Sequence, residues 1–108
     1  ILATIANQAP SNLVVVILDN ESYVETGSQP TATAGPTDLE AVARGCGIAN
    51  TVTVKNESQV QDLKDMIVNG RELMFANVKI KAEALPLVFP HSFDGVTAIN
   101  RFRENAVS

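Results

Sequence analysis

Asn20 and the polar run behind it carry the most readable chemistry in this chain. Six apolar, mostly β-branched residues, Leu13-Val14-Val15-Val16-Ile17-Leu18, end abruptly in Asp19-Asn20 and pass into Glu21-Ser22-Tyr23 and Thr26-Gly27-Ser28-Gln29-Pro30. In an open α/β sheet, ligands bind outside the carboxyl ends of the strands, where such a loop begins. An amide oxygen placed there is a hard neutral donor of the kind Mg²⁺ takes, together with the phosphate oxygens that the ion bridges. The same pattern has a purely structural reading, an Asx-type turn closing the strand. Asp19 cannot easily converge with Asn20 on one ion, because successive side chains of a strand point to opposite faces.

The elements that must position this loop can be read from spacing. Ile1 to Ala9 reads as a helix with Ile1, Leu2 and Ile5 on one face, stopped by Pro10 and Ser11. Leu13 to Leu18 is a continuous apolar strand, the pattern of one covered on both faces. Asp19 to Pro36, rich in Thr, Gly and Pro, reads as loop. Thr37-Asp38-Leu39-Glu40 has the form of a capping box, in which Thr37 and Glu40 satisfy the first amides of a helix. That helix carries Leu39, Val42, Ala43 and Cys46, and Gly45 and Gly47 end it.

A short strand is predicted over Thr51 to Val54. Ser58 with Gln61 opens a second capped helix whose stripe is Val60, Leu63, Met66 and Ile67, and Asn69-Gly70 closes it. Leu73 to Ile80 reads as a third strand, 82–92 as an extended surface connection, and Asp94 as the cap of a last helix through Asn105. The order α-β-loop-α-β-α-β-α predicts an α/β fold, a parallel sheet in a three-layer α-β-α arrangement with right-handed crossovers. Three strands are few for such a sheet, so an unpaired edge and exposed apolar faces are expected, and with them self-association, marginal stability or a covering partner.

At 108 residues the chain is one domain at most, with a net charge of −4 and 45% hydrophobic residues. The acidic balance and scattered basic residues argue against a nucleic-acid surface. No apolar run approaches the roughly 20 residues of a membrane span. The single Cys46, flanked by glycines and without a cationic neighbour, reads as a packed structural thiol. One cysteine forms no internal disulfide, which makes the cytoplasm the default location. His91, between Pro90 and Ser92, has no positioned partner in the sequence and reads as a surface residue. Gly45-Cys46-Gly47 follows a helix, whereas a dinucleotide fingerprint must follow a strand.

The order of residues resembles the cofactor domain of thiamine-diphosphate-dependent enzymes, most closely the β subunit of sulfopyruvate decarboxylase and the related phosphonopyruvate decarboxylases. The resemblance rests on Leu2-Ala3-Thr4-Ile5, on Leu18-Asp19-Asn20, and on Tyr23-Val24-Glu25-Thr26-Gly27-Ser28-Gln29. It continues through Thr37-Asp38-Leu39-Glu40 and Ala43-Arg44-Gly45-Cys46-Gly47-Ile48, and loosely into Arg101-Phe102-Arg103. It implies a partial thiamine-diphosphate-binding fold in which Asn20, through its side-chain oxygen, and Ser22, through its backbone carbonyl, are ligands of Mg²⁺. Tyr23, Thr26 and Gly27 would line the cofactor, although a core-anchoring aromatic and a flexible turn explain these three equally well.

The family's diphosphate motif opens with Gly-Asp-Gly, whose Asp is a metal ligand, and this chain contains no such triplet. Residues 1–108 therefore read as the carboxyl-terminal portion of one cofactor-binding domain with its first half absent, and Ile1 in place of Met suits a segment of a longer product. The implied activity is decarboxylation of a 2-oxo acid with thiamine diphosphate and Mg²⁺. A pyrimidine-binding domain or subunit of the same enzyme would complete the site in a homo- or hetero-oligomer. The alternative is a non-catalytic α/β fragment or assembly subunit that no longer binds cofactor.

Overall fold

A computed structural model describes residues 1–86, 88–89 and 93–106. Strands β1 (Val14–Asp19), β4 (Asn50–Val54) and β5 (Met74–Lys79) form one parallel sheet in the order β1-β5-β4. The last strand in the chain is thus the central one. It pairs Met74 to Lys79 with Val14 to Asp19 on one side, and Met74 to Val78 with Asn50 to Val54 on the other. Parallel neighbours need crossovers, and α2 (Leu39–Gly45) and α3 (Glu57–Asn69) supply them.

Alternation along β5 sorts the core into two clusters. Met74 and Ala76 pack with Val54 and Leu63 of α3 on one face. Phe75 packs with Ala43 of α2 and Ile48 on the other, where Leu2 and Ala6 of α1 (Leu2–Gln8) close over them. Helices thus cover both faces, and the expected three-layer α/β arrangement is present.

The carboxyl end of α2 shows how sequence becomes geometry here. The Gly47 amide donates to the Arg44 carbonyl and the Ile48 amide to the Ala43 carbonyl, a Schellman closure. Gly47 takes φ 102°, which a side chain would strain, and the turn drops Ile48 onto Ala43 in the core. At the end of α3, Gly70 serves a different need: a Cβ there would sit 2.5 Å from the Met66 carbonyl oxygen.

Several details depart from the sequence expectations. β1 is not covered on both faces: Val16, Ile17 and Leu18 are 41%, 37% and 66% exposed, because α2 packs over β4 and β5 and α3 over β4, at the other side of the sheet. Ile1 is exposed, and the packed face of α1 is Leu2 with Ala6. Asp38, rather than Thr37, caps α2 by accepting from the Ala41 amide. Asn56, rather than Ser58, caps α3 by accepting from the Gln59 amide. The cap lies one position after the expected residue in α2 and two before it in α3, where each side-chain oxygen reaches the amide three residues on.

In α3 only Leu63 is buried, and Val60, Met66 and Ile67 stay largely exposed. The 19–36 segment is not all loop, since β2 (Ser22–Tyr23) and β3 (Gln29–Pro30) pair antiparallel within it. Asp94 caps α4 (Gly95–Ala106) as expected, accepting from the Val96 and Thr97 amides. None of the side chains of α4 is buried, so Val96, Ile99 and Phe102 present an open apolar row. His91 lies outside the described residues.

An exposed, Pro-free edge strand whose one charge, Asp19, is turned to Lys79 templates pairing with another chain. Light scattering behind size-exclusion chromatography should show concentration-dependent association of this chain, and Leu18→Lys should shift it towards monomer. Gly47→Ala should lower unfolding stability by about 1–2 kcal/mol in a denaturant titration, the cost of forcing a left-handed backbone on an L-residue.

Candidate functional site

The loop that carries Asn20 is held by a polar clasp at its root. Asp19 ends β1 with only 7% of its surface exposed. Its Oδ2 accepts from the Lys79 Nζ at 2.8 Å, while Oδ1 accepts from the Thr33 hydroxyl at 2.7 Å and from the Glu21 amide at 3.1 Å. Lys79 ends β5 directly opposite Asp19 in the sheet register, and its Nζ also reaches Glu21. Parallel pairing of β1 with β5 is what brings this cation to the loop.

Burial alone would push the Asp19 carboxyl up. Hydrogen bonds from Lys79, Thr33 and the Glu21 amide outweigh it and hold the group below its ordinary 3.8. The hydrogen bonds to Asp19 and Glu21 in turn raise Lys79 above its ordinary 10.5.

Beyond the clasp, the chain turns back on itself. Asn20 Oδ1 accepts from the Ser22 amide at 3.1 Å, the Asx turn that the sequence left as an alternative to metal binding. An amide oxygen has two lone pairs, so this bond leaves one for a further partner. Glu21 sits at φ 58°, and the Thr31 amide donates to its carbonyl. In the short β2–β3 ladder Ser22 faces Pro30, which has no N–H to offer the Ser22 carbonyl. Gly27 at φ 113° and Ser28 at φ 59° then complete the return, with the Ser28 amide bonded to the Tyr23 carbonyl.

The structure gathers most of the residues expected to form the site. Asn20, Ser22, Tyr23 and Thr26 line one open hollow of ≈ 370 Å³, together with Glu25 and Leu85. Tyr23 is more than half exposed, so it does not anchor the loop in the core. The Thr26 hydroxyl is 3.4 Å from the Tyr23 carbonyl and 3.5 Å from Gln29 Oε1, both at the long limit of a hydrogen bond. Gly27 shapes the turn and is not among the residues lining the hollow.

A neutral pair of oxygens, the Asn20 amide and the Ser22 carbonyl, could occupy two positions of an octahedral Mg²⁺ whose charge is met by a diphosphate. Among the described residues, no group of three or more His, Cys, Asp or Glu is placed to hold a metal.

Sequence reasoning missed Lys79 and Thr33. Lys79 is 60 positions from Asp19, and only the strand register joins them. It also missed a second, more polar hollow of ≈ 340 Å³ beyond Lys79, where Glu40, Thr53, Lys55 and Asn77 meet. Glu40 does not close a capping box there; its carboxylate accepts from Thr51, Thr53 and Arg44. Asn77, 2% exposed, has a side-chain oxygen without a protein donor.

Asp19 has a lowered carboxyl in the fold, so its contribution is present above pH 3.8 and is lost as pH falls below that value. Lys79 has the opposite sign: its contribution is present below pH 10.5 and is lost as pH rises past that value. Denaturant titrations across the acid range should therefore lose stability on a limb that Lys79→Met makes shallower. At neutral pH the same variant should cost about 2–3 kcal/mol, because it strands a buried carboxylate whose partner was itself partly exposed.

Comparison with known proteins finds relatives of this sequence. The chain is 41% identical over 80 residues to a sulfopyruvate decarboxylase of Methanosarcina acetivorans, an alignment covering 74% of this chain and 21% of that protein. It is 38% identical over 66 residues to a sulfopyruvate decarboxylase subunit beta of Methanocaldococcus jannaschii, covering 61% and 35% of the two chains. A phosphonopyruvate decarboxylase of Streptomyces viridochromogenes is 48% identical over 69 residues, covering 64% and 16%. No family model matches the chain. These alignments span 21%, 35% and 16% of the relatives they match. Over its aligned residues, then, this chain is a homologue of the sulfopyruvate decarboxylase β subunits and the phosphonopyruvate decarboxylases.

Proposed function

We propose that this chain contributes the metal-side loop of a thiamine-diphosphate- and Mg²⁺-dependent decarboxylase acting on a 2-oxo acid. The observation that carries the reading is the Asn20–Ser22 turn, set at the carboxyl end of β1 and lining a hollow with Tyr23 and Thr26. Similarity to relatives named as sulfopyruvate and phosphonopyruvate decarboxylases supports it. Asn20 Oδ1 and the Ser22 carbonyl would hold the ion, and the Tyr23 ring and Thr26 hydroxyl would flank the cofactor. Gly27 would shape the turn behind them.

The cofactor, when bound, supplies the electron sink for loss of carbon dioxide. The task of this chain is to orient the diphosphate end and limit water beside it. Asn20 and Ser22 themselves bring no formal charge, and Asp19 and Glu21 are already committed to Lys79, while Glu25 and Glu83 line the same hollow. By the family resemblance, the charged metal ligand would be the Asp of a Gly-Asp-Gly triplet, which these 108 residues do not contain. Three of the relatives are named as β subunits, which supports a partner carrying the pyrimidine-binding part. Assembly in the cytoplasm fits a chain with one free thiol, and none of the described helices is long and apolar enough to cross a membrane.

A second reading has its own observation. The uncovered β1 edge and the open apolar row of α4 suit an α/β fragment or assembly subunit without cofactor binding.

Calorimetric titration with thiamine diphosphate, with and without Mg²⁺, separates the two readings. Saturable binding that needs Mg²⁺ and weakens at least tenfold in Asn20→Ala is the expected result. No binding at millimolar cofactor would leave the non-catalytic reading standing.

A further inference from the structure

We infer that Lys79, acting through Asp19 and Thr33, is the positioning residue that sets the Asn20–Ser22 turn in its ligand-binding shape. The Asn20 turn is short, polar and solvent-facing, and its own hydrogen bonds are local: Asn20 Oδ1 to the Ser22 amide, and the Thr31 amide to the Glu21 carbonyl. Such turns have little to hold them against the entropy of a free loop. The long-range fixings are different in kind. Asp19 Oδ1 takes the Thr33 hydroxyl across 14 positions of sequence, and Oδ2 takes Lys79 across 60.

Thr33 belongs to the far end of the loop, in the 3₁₀ turn Ala32–Ala34, and Thr31 meets it at 2.7 Å. One carboxylate therefore ties the exit of β1, the return of the loop and the end of β5 together. The sheet fixes both Asp19 and Lys79, which face each other in register, and Lys79 ends β5, the central strand. Its second contact, to Glu21, grips the left-handed residue between Asn20 and Ser22. The donors proposed for the metal flank the residue that Lys79 holds.

This inference rests on the cofactor reading only for the identity of the ligand. Its test therefore has one arm that needs no cofactor. In the 108-residue chain, amide hydrogen exchange at Glu21, Ser22 and Thr31 is compared with that at core amides of β5 and α3, in the native protein and in Lys79→Met and Lys79→Arg. Lys79→Met should speed exchange at the loop amides at least tenfold and leave core amides within twofold, and Lys79→Arg should restore most of the protection. Thr33→Val, which removes one leg of the clasp without stranding a charge, should loosen Thr31 and Ser22 in the same direction, and it serves if Lys79→Met does not fold.

The second arm is Mg²⁺-dependent thiamine diphosphate binding, expected to weaken at least tenfold in Lys79→Met and to recover in Lys79→Arg. Unchanged loop exchange in both Lys79→Met and Thr33→Val would overturn the inference. So would a loosened loop that binds cofactor as tightly as the native one. A native chain that binds no cofactor, yet shows the local loosening, would remove the cofactor reading and leave the clasp as the device that shapes the turn.

Discussion

Burial of β5 on both faces is the constraint from which the rest of the architecture follows. Met74, Phe75, Ala76 and Asn77 are all nearly inaccessible, and β1 and β4 meet only through this strand. Phe75 and Met74 each contribute on the order of 2–3 kcal/mol of burial relative to exposure, on opposite sides of one sheet. The chain must therefore pass residue 73 of its 108 before the central strand arrives to organise what preceded it. Until β5 is in place, Val54 and Leu63 have no sheet to lie on, and Ala43 and Ile48 have no aromatic ring to cover.

That same register decides the chemistry at the loop. Once Val14 is opposite Met74, Asp19 must be opposite Lys79, and the ion pair is a geometric consequence of packing in the core. Its effect on the candidate site is to consume charge. Asp19 and Glu21 flank Asn20 in sequence and would appear to make the site acidic, yet both carboxylates are turned to one ammonium. What remains at the turn is a neutral amide oxygen and a carbonyl. A neutral donor pair is suited to an ion that arrives with its own anionic phosphate, and unsuited to capturing a bare dication from water.

The relatives and the exposed surfaces bear on the same question from different sides. The aligned relatives extend well beyond this chain, and the described fold leaves apolar residues of β1 and α4 open to solvent. Isolated exposed apolar residues are ordinary, but a contiguous strand edge and a whole helix stripe are surfaces that favour coverage by other protein. A catalytic role for this loop is consistent with such coverage, because a cofactor held at the diphosphate end alone would remain in contact with water.

Much of this protein was legible in the sequence. The run Leu13 to Leu18 and the alternating Thr51 to Val54 read as strands and are strands. Gly45 with Gly47, and Asn69 with Gly70, read as helix ends and lie at them, and Asn20 sits where a strand gives way to a polar turn. These are local matters of period, propensity and backbone freedom, which a chain expresses wherever it is placed. The caps were legible in kind but misplaced by one or two positions, since Thr37 and Asp38, or Asn56 and Ser58, compete for the same free amides and only the final backbone path selects one. Which strand lies at the centre, and so which apolar residues are buried, was not a local matter. Val16, Ile17 and Leu18 are as hydrophobic as Met74 to Ala76, and only sheet order leaves the first set at an edge. The Asp19–Lys79–Thr33 clasp is of the same kind. Its members are scattered in sequence, and tertiary structure alone joins them, because parallel register converts the end of one strand into the neighbour of another.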